Sequence, residues 1–168
     1  MDIKAILESV TISISTGLLI IILAGGQPKL DSYAALMGID IKSDEFKKEL
    51  RDMSGAVQIE NGDNGDVIVL LTASVIENRK RSSKWKGTTT EEVILAKEGP
   101  YYQYASVTRK GFQTKKASKR NRYLCKFVLI FGPVCPSNVV YQGQSSNGSG
   151  EYKRFKVLGQ KDEIFCYE

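Results

Sequence analysis

The hydrophobic and polar positions along this chain change period twice. Residues 9–28 (SVTISISTGLLIIILAGGQP) hold no ionisable side chain, and as a helix rising roughly 1.5 Å per residue they would span about 30 Å, the thickness of a bilayer's hydrocarbon layer. Apolar residues then recur at helical spacing, with Phe46, Leu50 and Met53 on one stripe. From Ala56 onward the pattern favours period two, which is typical of strands.

The apolar segment at residues 9–28 has three interpretations. It could be a cleaved secretory signal, with Leu18 to Leu23 as its apolar region and a cleavage site at Ala24 and Gly26, although Lys4 is the only basic side chain ahead of it. It could also form two buried strands, since residues 10–15 alternate strictly. The third interpretation, a transmembrane helix that stays in the protein, is the one we favour.

Small side chains support the transmembrane interpretation. Ser9, Ser13 and Gly17 recur every four residues and would line one helix face. Small residues at this spacing let helices approach closely in lipid. We therefore predict that these three residues pack against neighbouring helices.

After the break at Gly25, Gly26 and Pro28, the pattern predicts a second domain that is rich in strands. Ser43 can cap a helix with two acids in its first turn, and residues 61–66 (NGDNGD) have the composition of a hairpin turn without the register of a calcium loop. The predicted helices are Tyr33–Met37 and Asp44–Met53. The predicted strands are Val57–Glu60, Val67–Ile76, Glu92–Ala96, Tyr101–Thr108, Tyr123–Phe131, Asn138–Gln142, Tyr152–Leu158 and Glu163–Tyr167.

The predicted fold class is therefore α+β. It consists of an N-terminal apolar, transmembrane helix, two short helices, and a mainly antiparallel β sheet or sandwich of about eight strands. The predicted domains are an anchor over residues 1–28 and a β-rich globular domain over residues 29–168.

Charge is distributed unevenly along the chain. Residues 79–126 contain fourteen Lys or Arg and three acids, a local charge of +11, whereas the net charge of the whole chain is +5. A concentrated positive field attracts nucleic acid, anionic lipid or an acidic protein. Trp85, Tyr101, Tyr102, Tyr104, Phe112 and Tyr123 lie among these cations, and alternating cations and rings suit single-stranded nucleic acid. The predicted contact residues are Arg79, Lys80, Arg81, Lys84, Lys86, Arg109, Lys110, Lys115, Lys116, Lys119, Arg120 and Arg122.

Candidate chemistry is sparse. The chain has no histidine, which excludes Ser-His-Asp and Cys-His catalysis and zinc bound by histidine. Its three cysteines, Cys125, Cys135 and Cys166, lack CxxC spacing, and Cys135 with Cys166 is the disulfide we favour in an oxidising compartment. No nucleotide-binding, hydrolase or metalloprotease motif is present. We therefore expect no enzymatic activity, no catalytic residue, no cofactor, no metal and no small-molecule substrate.

Together these features predict a non-enzymatic, membrane-associated structural or assembly subunit with a basic partner-binding surface. Its partners would be other subunits of a larger assembly and the lipid bilayer, with nucleic acid as a further candidate. It would be membrane-anchored, with its domain extracytoplasmic or inside a virion. The competing hypothesis is a secreted or soluble module that binds nucleic acid or another polyanion.

Overall fold

The chain divides into two compact units, with the division between Ile39 and Asp40. The computed structural model describes residues 16–21, 26–85, 87–98, 100–109 and 111–168. In the first unit, helix α1 is described over residues 16–21 and helix α2 spans Leu30–Leu36. The predicted domain boundary after residue 28 stays a prediction.

The prediction of a transmembrane helix is corrected by the structure. Within the described ranges, no helix is both long enough and apolar enough to cross a membrane. The Gly26 N–H donates to the Ile21 carbonyl at 2.9 Å, a closure typical of a helix C-terminus, and residues 26–29 are not helical. A membrane anchor and the membrane location derived from it are therefore unsupported. Residues 9–15 and 22–25 of the predicted span lie outside the described residues.

Helices dominate the second unit, and three of them begin at a side chain that caps the helix. The Ser43 hydroxyl accepts from the Phe46 N–H at 3.1 Å at the start of α3, and the Ser118 hydroxyl accepts from the Asn121 N–H at 3.0 Å at the start of α7. Thr89 and Glu92 form a capping box at α5. The helices are α3 (Asp44–Asn61), α4 (Asp66–Arg81), α5 (Thr90–Leu95), α6 (Ala105–Arg109) and α7 (Lys119–Phe131).

Strands occupy two small antiparallel sheets. Two-residue strands β1 (Lys97–Glu98) and β2 (Tyr101–Tyr102) pair with each other. The other sheet has the order β3-β5-β4 and comprises β3 (Val139–Gly143), β4 (Gly150–Phe155) and β5 (Glu163–Tyr167). Because β5 pairs with both neighbours, it is the centre of this sheet.

Helix α4 lies at the centre of the second unit. It packs against α3, α5, α7 and strand β3. Ile68, Leu71 and Val75 on α4 form a buried cluster with Val139 on β3 and Phe165 on β5. Burial of such a cluster removes apolar surface from water, and this contact fixes the three-stranded sheet against the helices.

The predicted sheet or sandwich of about eight strands is wrong, and the chain is not β-rich. Predicted strand Val57–Glu60 belongs to α3, Val67–Ile76 to α4, and Tyr123–Phe131 to α7. The second and third of these runs are largely apolar, and such a run fits a buried helix as well as a buried strand. Val57–Glu60 does alternate, but it is only four residues long and lies at the end of the helix that begins at Asp44. Likewise Glu92–Ala96 is mostly α5, and Tyr101–Thr108 divides between β2 and α6. The predicted hairpin turn at residues 61–66 instead comprises the end of α3, the connection at residues 62–65 and the start of α4.

Candidate functional site

The basic residues predicted to form one surface separate into two groups. The first group lies at the C-terminal end of α4, where the basic side chains are buried or form ion pairs with acids of the same protein. Lys80 Nζ lies 2.7 Å from Glu49 Oε2 and 3.0 Å from Glu77 Oε2, and Arg81 lies 3.2 Å from Glu77 Oε1. Arg79 is only 4% exposed. Of this group, Arg81 is exposed but paired with Glu77, while Arg79 and Lys80 present little charge to a large partner.

The second group lies before and within the first turn of α7, and we call it the α7 basic surface. Lys116, Lys119 and Arg122 are exposed and Lys115 is half-buried. Their side chains make no ion pair with any residue that the structure describes. Arg120, between them, pairs with Asp66 instead. Four of the predicted contact residues, three exposed and one half-buried, thus lie close together in the chain without an ion pair among the described residues.

The other predicted residues have separate positions. Lys84 Nζ lies 3.5 Å from Glu168 Oε2 on an exposed loop. Lys86 and Lys110, and the side chain of Arg109, fall outside the described part of the chain. Ser9 and Ser13 of the predicted helix-packing stripe do too, and a Cβ on Gly17 would meet no atom within 4 Å.

Of the rings that suggested base stacking, two are in the hydrophobic core. Tyr104 and Phe112 are almost fully buried, so neither presents a face to a partner. Tyr123 is half-buried, with the Arg120 guanidinium 5.8 Å from its ring centre. Tyr101 and Tyr102 are exposed on β2.

The cysteines are free thiols in this structure, so Cys135 and Cys166 are not joined in it. Burial raises the pKa of Cys125 to about 12 and that of Cys135 to about 11, while hydrogen bonds from Asn78 and Ser74 oppose part of the rise at Cys135. Both are therefore protonated thiols at neutral pH. A disulfide between Cys135 and Cys166 stays a prediction.

Arg79 is the centre of a site that sequence reasoning missed. Its guanidinium carbon lies 4.1 Å from the ring centre of Trp85 and 4.9 Å from that of Tyr104. Its Nε–H donates to the Val140 carbonyl at 2.7 Å. Among the described residues, its Nη1 has no hydrogen-bond partner. A buried guanidinium is thus held between two rings with one nitrogen unused.

Beside this guanidinium is a cavity of about 310 Å³, which we call the Arg79 cavity. Gln103 and Gln142 each contribute a buried Oε1 with no hydrogen-bond partner within the described ranges. A second cavity of about 350 Å³ shares some of its walls. The walls common to both cavities are Trp85, Gln103 and Tyr141.

Packing at the rim fixes the aromatic walls. The Trp85 and Tyr141 rings meet edge to face, with centres 5.5 Å apart and planes at 70°. Gly148 has φ +63°, and a Cβ there would lie 1.9 Å from the Tyr167 carbonyl oxygen and 2.9 Å from the Tyr141 ring. Only glycine fits this close approach, so the loop before β4 holds Tyr141 in place.

Two carboxylates, Glu60 and Glu163, are near enough to interact electrostatically, which the sequence did not reveal. The Ser106 N–H donates to Glu60 Oε1 at 2.7 Å, and Asn61 Nδ2 donates to Glu163 Oε1 at 3.0 Å. Burial raises the pKa of Glu163; the hydrogen bond from Asn61 opposes this rise, and the charge of Glu60 adds to it. The two acids are 103 positions apart in the chain, so no local pattern could pair them.

Comparisons with known proteins give no relative. No family model, no curated protein and no solved structure matches this chain. Any assignment of function therefore depends on the residues themselves.

Proposed function

We propose that this chain is a binding protein that holds an acidic protein partner on the α7 basic surface. The observation that carries the proposal is the group of four cations, Lys115, Lys116, Lys119 and Arg122, that no described carboxylate neutralises. The assembly role expected from the sequence fits such a surface. The expectation that the chain has no catalytic activity stays a prediction.

The position of these charges is unfavourable for the isolated protein. Backbone N–H groups give the N-terminal end of a helix a partial positive charge, and α7 has no acid in its first turn. A cation there costs about 0.3–1 kcal/mol. Carboxylates of a partner would remove this repulsion, and complementary charge would also accelerate association.

The burial of two rings favours a protein partner over a single nucleic acid strand. Binding of single strands uses bases stacked on exposed aromatic faces, each worth about 1–3 kcal/mol. Tyr104 and Phe112 are in the core, and Tyr123 is half-buried beside Arg120. Tyr101 and Tyr102 are exposed, but they lie on β2 and outside the α7 basic surface. Charge attraction is the main contribution that this surface itself offers, and carboxylates can supply it.

The test compares two variants with equal net charge. One neutralises the surface with Lys115→Gln, Lys116→Gln, Lys119→Gln and Arg122→Gln. The matched control changes four exposed lysines elsewhere, with Lys42→Gln, Lys153→Gln, Lys156→Gln and Lys161→Gln. Binding of fluorescent poly-L-glutamate and of a 20-nucleotide single strand is measured by anisotropy at several salt concentrations.

We expect the parent to bind poly-L-glutamate with an affinity that falls with salt. The surface variant should bind about fourfold to several hundredfold more weakly, because each of four exposed ion pairs is worth about 0.2–1 kcal/mol, and the control should bind as the parent does. Equal losses in both variants would show that only net charge matters and would refute the proposal. A strand bound in preference to poly-L-glutamate would refute it in favour of a nucleic-acid module.

A further inference from the structure

We propose that the Arg79 cavity binds a small carboxylate that carries a neighbouring N–H or O–H group and an apolar face. This site is separate from the α7 basic surface and does not depend on the function proposed above. It also departs from the sequence-based expectation that the protein has no small-molecule ligand. Four observations carry it: a buried cation, two unpartnered amide oxygens, aromatic walls and the cavity itself.

The buried guanidinium of Arg79 favours a ligand with a negative charge. A guanidinium is always charged, and taking a charge out of water is costly unless it is paired. Arg79 is 4% exposed, yet the structure gives it no ion pair with any carboxylate in the described ranges. Trp85 and Tyr104 lie against the guanidinium and contribute cation–π attraction, and the Tyr104 hydroxyl also interacts with Arg79. Nη1 itself still has no hydrogen-bond partner among the described residues. A ligand oxygen in the cavity could accept a hydrogen bond from it.

The two unpartnered glutamine oxygens favour a ligand that also carries hydrogen-bond donors. Gln103 Oε1 and Gln142 Oε1 line the cavity and are buried without a hydrogen-bond partner among the residues described. Buried polar atoms of native proteins are nearly always satisfied, and an unsatisfied one costs stability. Arg79 Nη1 would thus donate to a carboxylate while the two glutamines accept from adjacent N–H or O–H groups.

The cavity's charge and size favour a carboxylate over a phosphate. Phosphate sites typically use several cations or backbone N–H groups, whereas the described residues that line this cavity include one guanidinium with one unused nitrogen. Its volume of about 310 Å³ is at the lower end of the range for small-molecule sites. Trp85 and Tyr141 supply the apolar walls that such sites use to exclude water.

The experiment uses hippurate, which has a carboxylate, an adjacent N–H and a ring, and hippuramide, its uncharged amide. Trp85 is the only tryptophan in the chain, so its fluorescence reports directly on this cavity. We expect a saturable change with hippurate, at least a tenfold weaker response to hippuramide, and no response to inorganic phosphate. The variant neutralised on the α7 basic surface should bind hippurate normally, which separates this site from the proposed function.

A substitution provides an independent test. Gln142→Glu adds a carboxylate to the cavity wall, where it can pair with Arg79, so hippurate binding should fall at least tenfold and the melting temperature should rise. Gln144→Glu makes the same change at an exposed residue outside the cavity and should alter neither. Three results would each overturn the inference: no saturable response up to about 10 mM hippurate, equal responses to hippurate and hippuramide, or undiminished binding by the Gln142→Glu variant.

Discussion

Gly55 shows how a single residue can determine the packing of two segments. Glycine inside a helix is normally less stable than alanine by about 1 kcal/mol. Gly55 is in the interior of α3, but a Cβ there would lie 1.9 Å from the carbonyl oxygen of Phe112. The Phe112 side chain is buried, so that backbone has little freedom to move. The close approach of the Phe112 backbone therefore favours glycine at position 55, although glycine has a low helix propensity.

We predict that Gly55→Ala lowers the free energy of unfolding by about 2–3 kcal/mol, as expected for overpacking. Gly17→Ala is the control, because Gly17 is also helical but has open space around its Cβ position. It should leave the urea midpoint unchanged or raise it slightly. A Gly55→Ala protein as stable as the parent would show that the 112 region moves freely.

Burial should make two of the cysteines unreactive in the native state. With a pKa of about 11 for Cys135, the thiolate fraction at pH 8 is roughly one part in a thousand, and it is lower still for Cys125. We predict that both resist iodoacetamide in the native protein and react at ordinary rates in denaturant. Peptide mapping by mass spectrometry measures this, and the same experiment without reductant tests for a Cys135–Cys166 disulfide. Rapid native labelling of Cys125 would contradict the burial argument.

At the scale of elements, one carboxylate joins three helices. Glu49 on α3 accepts from Lys80 Nζ of α4 at 2.7 Å and from Thr90 Oγ1 of α5 at 2.7 Å. Burial alone would raise the pKa of Glu49, but the hydrogen bonds from Lys80 and Thr90 hold it below its ordinary value of 4.5. A carboxyl with a lowered native pKa stabilises the fold above the unfolded-state pKa and loses that contribution as pH falls through its native pKa.

Glu49→Gln should therefore destabilise the protein by about 1–3 kcal/mol at pH 7. The difference from the parent should shrink as the pH falls from 4.5 through the lowered native pKa of Glu49, because the parent then loses the same charge. Urea unfolding at pH 7 and pH 3 measures both effects. Glu45→Gln, exposed in the first turn of α3, should cost about 0.5 kcal/mol. A pH-independent loss at Glu49 would refute the ion-pair explanation.

Helix α4 shows why segments that are helical in the structure were predicted as strands. Residues 67–76 of this helix are predicted as a strand because the pattern after Ala56 favours period two and residues 61–66 have the composition of a hairpin turn. Asp66 in its first turn and Arg79, Lys80 and Arg81 in its last turn match the helix dipole, and this signal was available in the sequence. By contrast, the predicted bounds of β5, Glu163–Tyr167, are confirmed. Strand β5 is short and separated by loops, so local pattern was sufficient there.

At the scale of the whole molecule, the sequence predicts where basic residues are concentrated but not which of them face solvent. The sequence locates the cations in residues 79–126, yet pairing across the fold decides which of them face solvent. Glu49 and Glu77 neutralise Lys80, and burial removes Arg79 from the surface. Lys119 has no such partner among the described residues. These pairings join residues far apart in the chain, which local periodicity cannot detect.

The pH dependence of global stability follows from the same long-range contacts. Glu163 begins the central strand β5 near Glu60 of α3, and burial together with the Glu60 charge raises its pKa above 4.5 despite the Asn61 hydrogen bond. An acid with a raised native pKa favours the folded state below its unfolded pKa, and this contribution is lost as pH rises through its native pKa. The ionised side chain therefore destabilises the protein at neutral pH.

We predict that Glu163→Gln raises the urea midpoint at pH 7, because glutamine keeps an acceptor for Asn61 and removes the buried charge beside Glu60. The gain should disappear below pH 4.5, where the parent is protonated as well. Glu151→Gln is the contrasting control, since the hydrogen bond from Arg154 lowers the pKa of Glu151, and it should give no gain at pH 7. If the Glu163→Gln variant is less stable than the parent at pH 7, the prediction is wrong. The contacts of the ionised carboxylate would then stabilise the folded state by more than its burial destabilises it.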